Sequence, residues 1–286
     1  MKNTAGRGQM TELSRALFRS NSASRQQLIP QKNADKTLKN NSTLHFERFE
    51  FKYILSAQKR RELEADLLYF LDYDPFVANI KTHKYHVRSL YFDDAIYSAF
   101  HDKEDGLHSR SKFRLRTYAC DFSDHAPVFL EIKGRHNNLV FKHRTPIDTN
   151  GSDWSVFKGS ILCREVLARA APSTVRDQFE YELYRKTLRP ITLIDYERRP
   201  YVSKYDPGFR VTFDERLGAA RANCLYPDRL QGEKRVLPGY TVLEIKFFHQ
   251  IPSWFHRVIQ THQLNRRAIS KICEGMKSLD MVADNF

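Results

Sequence analysis

Three features of the 286-residue sequence predict an α+β protein built on a closed eight-stranded β-barrel, with helices outside and charge in the lumen. The first is a set of strand-like segments in which ionic and apolar residues alternate. Arg110, Lys112, Arg114 and Arg116 lie two apart and share one face, while Phe113 and Leu115 share the other. The same alternation sets Glu131 and Lys133 against Leu130 and Ile132, Lys142 and Arg144 against Phe141, and Arg210 and Asp214 against Val211 and Phe213. It also sets Glu244 and Lys246 against Leu243, Ile245 and Phe247, and Arg48, Glu50 and Lys52 against Phe49, Phe51 and Tyr53. The second feature is the bias of the ionic faces, mostly basic with a few glutamates. A row of like charges repels itself and persists most comfortably against a polyanion such as a phosphate chain. The third is enough amphipathic helix to cover the apolar faces. A sandwich that buries those faces and leaves the charges in water satisfies the alternation too, but the basic bias and the helices favour the barrel.

Taken in order, the pattern predicts a strand at 46–54 and then a helix from Ala57 to Leu71, with the Ser56 hydroxyl as its N-cap. Strands follow at 84–92, 110–119, 127–134 and 138–147, and Asp93 or Asp94 caps a short helix carrying Ile96, Tyr97 and Phe100. Between 150 and 186, Trp154, Phe157, Ile161, Leu162, Val166 and Leu167 recur at helical spacing and read as core packing. Strands resume at 188–199 and 207–215. Gly218, Pro227, Gly232 and Pro238 then mark a polar loop over 217–238. The last strand is 240–248, and Pro252 opens the terminal helices with Trp254, Phe255, Val258, Ile259, Leu264, Ile269 and Ile272.

Composition sets the bounds. A hydrophobic content of 41% supports one substantial core. A formal charge of +13 calls for an anionic partner. Residues 1–44 carry eight Lys/Arg against two acids and read as a disordered basic tail, leaving the domain at 45–286 basic in its own right. Arg-rich, acid-poor composition also suits a transit segment, but no cleavage signal accompanies it. Cys120, Cys163, Cys224 and Cys273 show no zinc or redox spacing, and the eleven histidines show no metal-ligand spacing. No apolar run reaches the ~18 residues of a membrane span. The expected location is therefore cytoplasmic, with any membrane association coming through partners.

Several segments together carry a resemblance. Arg48 to Tyr53, Ser89 to Asp93, Asp105-Gly106, Arg110 to Tyr118, Leu130 to Lys133, Tyr196 to Arg198, Arg210 to Asp214, Leu243 to Phe247 and Ser270-Lys271 occur in an order similar to the VTC (vacuolar transporter chaperone) polyphosphate polymerase domain. The resemblance implies a triphosphate tunnel metalloenzyme fold, a closed antiparallel barrel, and ATP-driven synthesis of inorganic polyphosphate. It implies Lys52, Arg114, Arg116, Lys133 and Lys271 as catalytic cations, with Lys112, Lys142, Arg198, Arg210, Lys246 and Ser270 binding phosphate. It implies Glu244 as the ligand of Mn2+ or Mg2+. ATP, polyphosphate, triphosphate and pyrophosphate are the implied ligands. Arg48 stands where the wider tunnel pattern Glu-x-Glu-x-Lys has its first glutamate, which argues against a plain triphosphatase.

The chemistry supports this independently. Phosphoryl transfer asks a protein for alignment and charge neutralisation more than covalent work. Arginines hold phosphate oxygens through paired donors, lysines act as movable point charges, and a carboxylate among them suits a hard cation. Glu131 is a second metal candidate, and Glu50 is placed to orient Lys52 or Lys133. Two other readings stay open: hydrolysis of triphosphate on the same fold, and a noncatalytic polyanion-binding module. RNA is disfavoured because the aromatics interleave on the packing face and leave no stacking platform.

Overall fold

The computed structural model describes residues 49–122, 126–137 and 139–282. The basic tail and Arg48 lie outside the described residues. Ten strands and seven helices are seen among those described. Eight long or medium strands pair antiparallel in the order β1 (Phe49–Ser56), β10 (Tyr240–Phe247), β8 (Arg210–Arg221), β7 (Arg189–Ser203), β3 (Tyr85–Asp93), β4 (Ser109–Thr117), β5 (Val128–His136), β6 (Leu139–Ile147). Short β2 (Leu71–Tyr73) joins β7, and β9 (Lys234–Arg235) joins β8.

The apolar residues that alternate with the charges face outward under helices, so the sandwich alternative fails. Phe113, Leu115, Leu130 and Ile132 pack with Trp154, Leu162, Val166 and Phe179 from α4 (Gly159–Arg169), α5 (Thr174–Lys186) and the segment before them. On the other flank, Tyr53, Val211, Phe213, Leu243 and Ile245 pack with Leu63 and Leu67 of α1 (Ala57–Leu67) and with Phe255 and Val258 of α6 (Ser253–Thr261). Each such side chain contributes about 1.5–3 kcal/mol by leaving water.

No ladder joins β6 back to β1 among the described residues, so the expected hydrogen-bonded closure is not seen. The reason lies in what covers the two edges. Tyr53 of β1 bridges to Arg266, and Arg267 donates its backbone N–H to Lys52 O at 2.8 Å. Ile147 of β6 bridges to Ala170, flanked by bonds from Ala171 to Pro146 and from Asp148 to Arg169. Both edges are thus occupied by connecting segments. Across the gap an ion pair runs from Lys133 Nζ on β5, the strand next to the β6 edge, to Glu50 Oε1 on β1 at 3.2 Å.

Other boundaries differ from the sequence pattern for local reasons. The Ser56 hydroxyl accepts from Lys59 N at 3.2 Å as expected. The helix it caps ends at Leu67, because Leu71–Tyr73 pairs with Tyr201–Ser203. The short α2 (Pro75–Ala78) follows, with Asp74 as its N-cap. Asp93 and Asp94 together serve the start of α3 (Ser98–Glu104), accepting from the N–H groups of Ser98, Ala99 and Phe100. The expected loop from 217 begins as strand instead. Arg216 adopts a left-handed φ of 54° where the β7–β8 register shifts, so the inward phase passes from Asp214 to Leu217 and Ala219. An alternation that changes phase does not read as one strand.

The last helix, α7 (Lys271–Ser278), has a place that the amphipathic pattern did not reveal. It packs on the inner face of the sheet, where Ile272, Cys273 and Met276 meet Val87, Ile194, Ala219 and Val242. Gly275 allows the approach, since a Cβ there would lie 2.5 Å from Ile194 Cδ1 and 3.0 Å from Ala219 Cβ. One end of the inner face is therefore filled by helix, and the rest is ionic. No helix among the described residues is long and apolar enough to cross a membrane.

Candidate functional site

Alternation on β1, β4, β5, β6, β7, β8 and β10 carries charged side chains to the inner face, and α7 adds one more from its first residue. Eight cations, Lys52, Arg114, Arg116, Lys133, Lys142, Arg198, Lys246 and Lys271, are ion-paired there with four carboxylates, Glu50, Glu131, Asp214 and Glu244. The positive excess is the main electrostatic fact of the site.

Two networks share the space. In the first, Lys271 Nζ lies between Asp214 Oδ2 at 2.6 Å and Glu244 Oε1 at 2.7 Å. Arg198 donates to both oxygens of Asp214, at 2.6 and 2.7 Å, and to Glu244 Oε2 at 3.2 Å. Lys246 reaches Glu244 Oε2 at 3.3 Å, and Lys52 reaches Glu50 at 3.0 Å and Glu244 at 3.6 Å. In the second, Glu131 has no solvent exposure, and Arg114 grips its Oε2 at 2.7 and 2.9 Å. Lys142 lies 2.6 Å from Glu131 Oε1 and Arg116 Nε 3.8 Å from Oε2. Tyrosines hold the guanidiniums in place: Arg114 donates to Tyr91 Oη at 2.8 Å and Arg116 to Tyr196 Oη at 3.2 Å. The Tyr196 ring also lies 5.1 Å from Lys271 Nζ and 5.3 Å from the Arg198 guanidinium, so it touches both networks.

Burial works against every charge here, and the outcome depends on the partners. For Glu50, Glu131 and Glu244 burial raises the carboxyl, but the surrounding lysines and arginines outweigh it and hold all three well below the usual carboxylate range. Lys271 is likewise desolvated, yet Asp214 and Glu244 hold its ammonium firmly protonated. Lys133 and Lys142 are the exceptions. Burial pulls them down to about 8 and about 7, and the carboxylates near them, Glu50 and Glu244 for Lys133 and Glu131 for Lys142, do not offset it against nearby cations. These two lysines carry charge that the protein alone leaves undercompensated.

The remaining sequence candidates sit at the margins. Lys112 faces inward but its ammonium donates to Cys273 Sγ on α7 at 3.0 Å. Arg210, at the end of β8, is half exposed, and its nearest carboxylate is Asp74 at 4.0 Å, away from the two networks. Ser270 is the N-cap residue of α7, next to Lys271 in the chain, and makes no side-chain capping bond. Asp214, Tyr91 and Tyr196 were not singled out as site residues from sequence. Asp214 was visible in the alternation with Val211 and Phe213; the tyrosines look apolar in a binary pattern and carry no signal of their own.

Glu244 and Asp214 are adjacent carboxylates that share Arg198 and Lys271 as partners. Among the described residues no group of three or more His, Cys, Asp or Glu could form a metal cage. Four cations already surround Glu244. The donor set fits a hard cation that arrives on phosphate oxygens and takes one or two carboxylates, and does not fit a stand-alone metal centre.

The VTC domain family model matches residues 47–280, which include every strand and helix of the site. The chain belongs to the VTC domain family. Among solved structures, similarity extends to a candidate adenylate cyclase from Bacillus halodurans, with 12% identity over 78% of this chain and 95% of that one and a TM-score of 0.44. The PH1819 protein of Pyrococcus horikoshii OT3 has 14% identity over 79% and 96%, with a TM-score of 0.42. The Mimivirus capping enzyme triphosphatase has 8% identity over 74% and 89%, with a TM-score of 0.30. No curated protein matches the chain.

Proposed function

We propose that this VTC domain is a polyphosphate polymerase, transferring the γ-phosphate of ATP to the end of a growing inorganic polyphosphate chain. The observation that carries the reading is the surplus of cations over carboxylates on one continuous inner face, eight against four. Buried ion pairs roughly break even in stability, and an excess of buried positive charge costs more. An elongated phosphate chain supplies the missing anions along its whole length.

In this reading a terminal oxygen of the chain attacks the γ-phosphorus in line, the new P–O bond forms, and the bond to the β-phosphate oxygen breaks to release ADP. No side-chain nucleophile takes part. Arg114 and Arg116 neutralise the transferring group through paired donors already oriented by Tyr91, Ser89 and Tyr196. Lys52, Lys133 and Lys271 follow charge as it shifts toward the leaving group, while Lys112, Lys142, Arg198, Lys246 and Ser270 hold neighbouring phosphates. Arg210 serves phosphates near the rim. Glu244, with Asp214 beside it, would hold Mn2+ or Mg2+ carried in by the substrate, and the ion would supply charge neutralisation for the transfer. In this reading the protein works in a compartment that supplies ATP, the cytoplasm.

Incubation with labelled ATP and manganese, with products separated by size, tests the reading. Label from the γ-phosphate appearing in phosphate chains longer than ATP is the expected result. Release of free phosphate with no polymer would replace polymerase by triphosphatase, and binding of polyphosphate without turnover would leave a binding module.

A further inference from the structure

The inner face of β8 carries a hydroxyl that neither ionic network uses. Thr212 lies between Arg210 and Asp214 on the strand and alternates with Val211 and Phe213, which are buried in the outer core. Across the sheet it stands opposite Glu244 on one side and Pro200 on the other. The residue is 7% exposed, and its Oγ1 has no hydrogen-bond partner. Among the described residues, the other inner-face polar atom in that condition is Glu131 Oε1, which has the Lys142 ammonium 2.6 Å away. Thr212 has no such counterpart. A buried hydroxyl without a partner is costly, and valine would fill the same volume on a strand at least as well. Its surroundings are those of an anion site, since Arg198 and Lys271 converge on the adjacent Asp214 and on Glu244 across the ladder.

We propose that the Thr212 hydroxyl is a substrate-binding group, donating a hydrogen bond to a phosphate oxygen that Arg198 and Lys271 hold. The inference rests on the phosphate-chain reading above and adds to it a neutral donor in the middle of a cationic face. Phosphate oxygens are acceptors at neutral pH, so the hydroxyl contributes without adding charge that the free protein would have to bury.

The test compares parent protein, Thr212→Val and Thr212→Ser, each with inorganic triphosphate in EDTA so that no metal-borne contact enters. Without ligand, Thr212→Val should melt at the same temperature as the parent or higher. Its Kd for triphosphate should rise about tenfold or more, the effect of one hydrogen bond to a charged group, and its ligand-induced rise in Tm should shrink. Thr212→Ser should bind like the parent. A valine variant that binds triphosphate as well as the parent overturns the inference and leaves the phosphate-chain reading standing. So does one that loses ligand-free stability, because the hydroxyl would then have a structural partner. A parent protein that gains no stability from triphosphate overturns the reading and the inference together.

Discussion

Within β8, Val211 and Phe213 are buried with Tyr201, Leu243, Ile245 and Phe255, while Thr212 and Asp214, one residue away, sit beside Glu244, Arg198 and Lys271. The same backbone thus serves two environments. Outward, stability comes from apolar area removed from water, and the side chains are interchangeable within limits of volume. Inward, the groups are desolvated and charged, and their pairing returns little net stability for its cost. In the proposed function the inner face answers to a ligand, whereas the outer face answers to folding. Substitutions on the two faces should separate cleanly.

The largest separation is expected between Phe213→Ala and Arg114→Ala. Phe213 is fully buried, and its truncation should cost about 3–5 kcal/mol of stability while turnover per folded molecule stays at the parent level. Arg114→Ala should lower ATP-dependent synthesis by about 10²–10³-fold, the scale of one lost charge-stabilising donor in a transition state. It should also destabilise, because Arg114 grips the fully buried Glu131. Adding Glu131→Gln should restore much of that stability without restoring turnover. Denaturant unfolding alongside a synthesis assay distinguishes the cases, and equal loss of activity in the Phe213 and Arg114 variants would break the comparison.

Gly275 sharpens it further, because α7 belongs to both environments. A side chain at this position meets Ile194 and Ala219, so Gly275→Val should push α7 away from the sheet and carry Lys271 off Asp214 and Glu244. The expected outcome is a stability loss of about 1–3 kcal/mol from overpacking, with synthesis falling by about tenfold. Unaltered turnover in a destabilised Gly275→Val variant would mean that Lys271 has no part in the reaction.

The outer face was legible in the sequence because strand alternation is strict there. Phe113, Leu115, Ile132, Val211 and Ile245 all pack outward as their spacing implies. The inner cations on β4, β5 and β10 were legible by the same rule. Three things were not. The phase of β8 changes at Arg216, so its second half looked like loop. An amphipathic helix such as α7 does not declare whether its apolar side meets the outside or the inside of a sheet, and the clue, Gly275 between Cys273 and Met276, is ambiguous without the fold. The edge pairing was not legible either, because backbone pairing by Arg266–Arg267 and by Arg169–Ala171 depends on where loops travel, which alternation does not encode. Arg210 shows the limit of the rule in the other direction: it has the inward phase, but at a strand end the phase does not guarantee depth.

The smallest expected effect is also the most diagnostic of which face is involved. Lys133 and Lys142 have folded values of about 8 and about 7, below the ordinary lysine value of 10.5 that the unfolded chain retains. Between those limits the unfolded chain holds more protons than the folded one, so the contribution of this pair to stability rises with pH. Its penalty is fully present below about pH 7 and fades toward pH 10. A bound phosphate chain reverses the preference, because it favours the charged ammonium. Triphosphate binding should therefore take up protons between about pH 7 and 9, and the ligand-induced rise in Tm should shrink as pH increases over that window. The measurement is titration calorimetry in two buffers of different ionisation enthalpy, which reads the protons taken up directly. Lys142→Met should remove the larger part of the uptake near pH 7 to 8. Proton uptake that is the same in Lys142→Met as in the parent would mean that the ligand sits away from the β5–β6 part of the inner face, and would shift the phosphate chain toward Glu244 and α7.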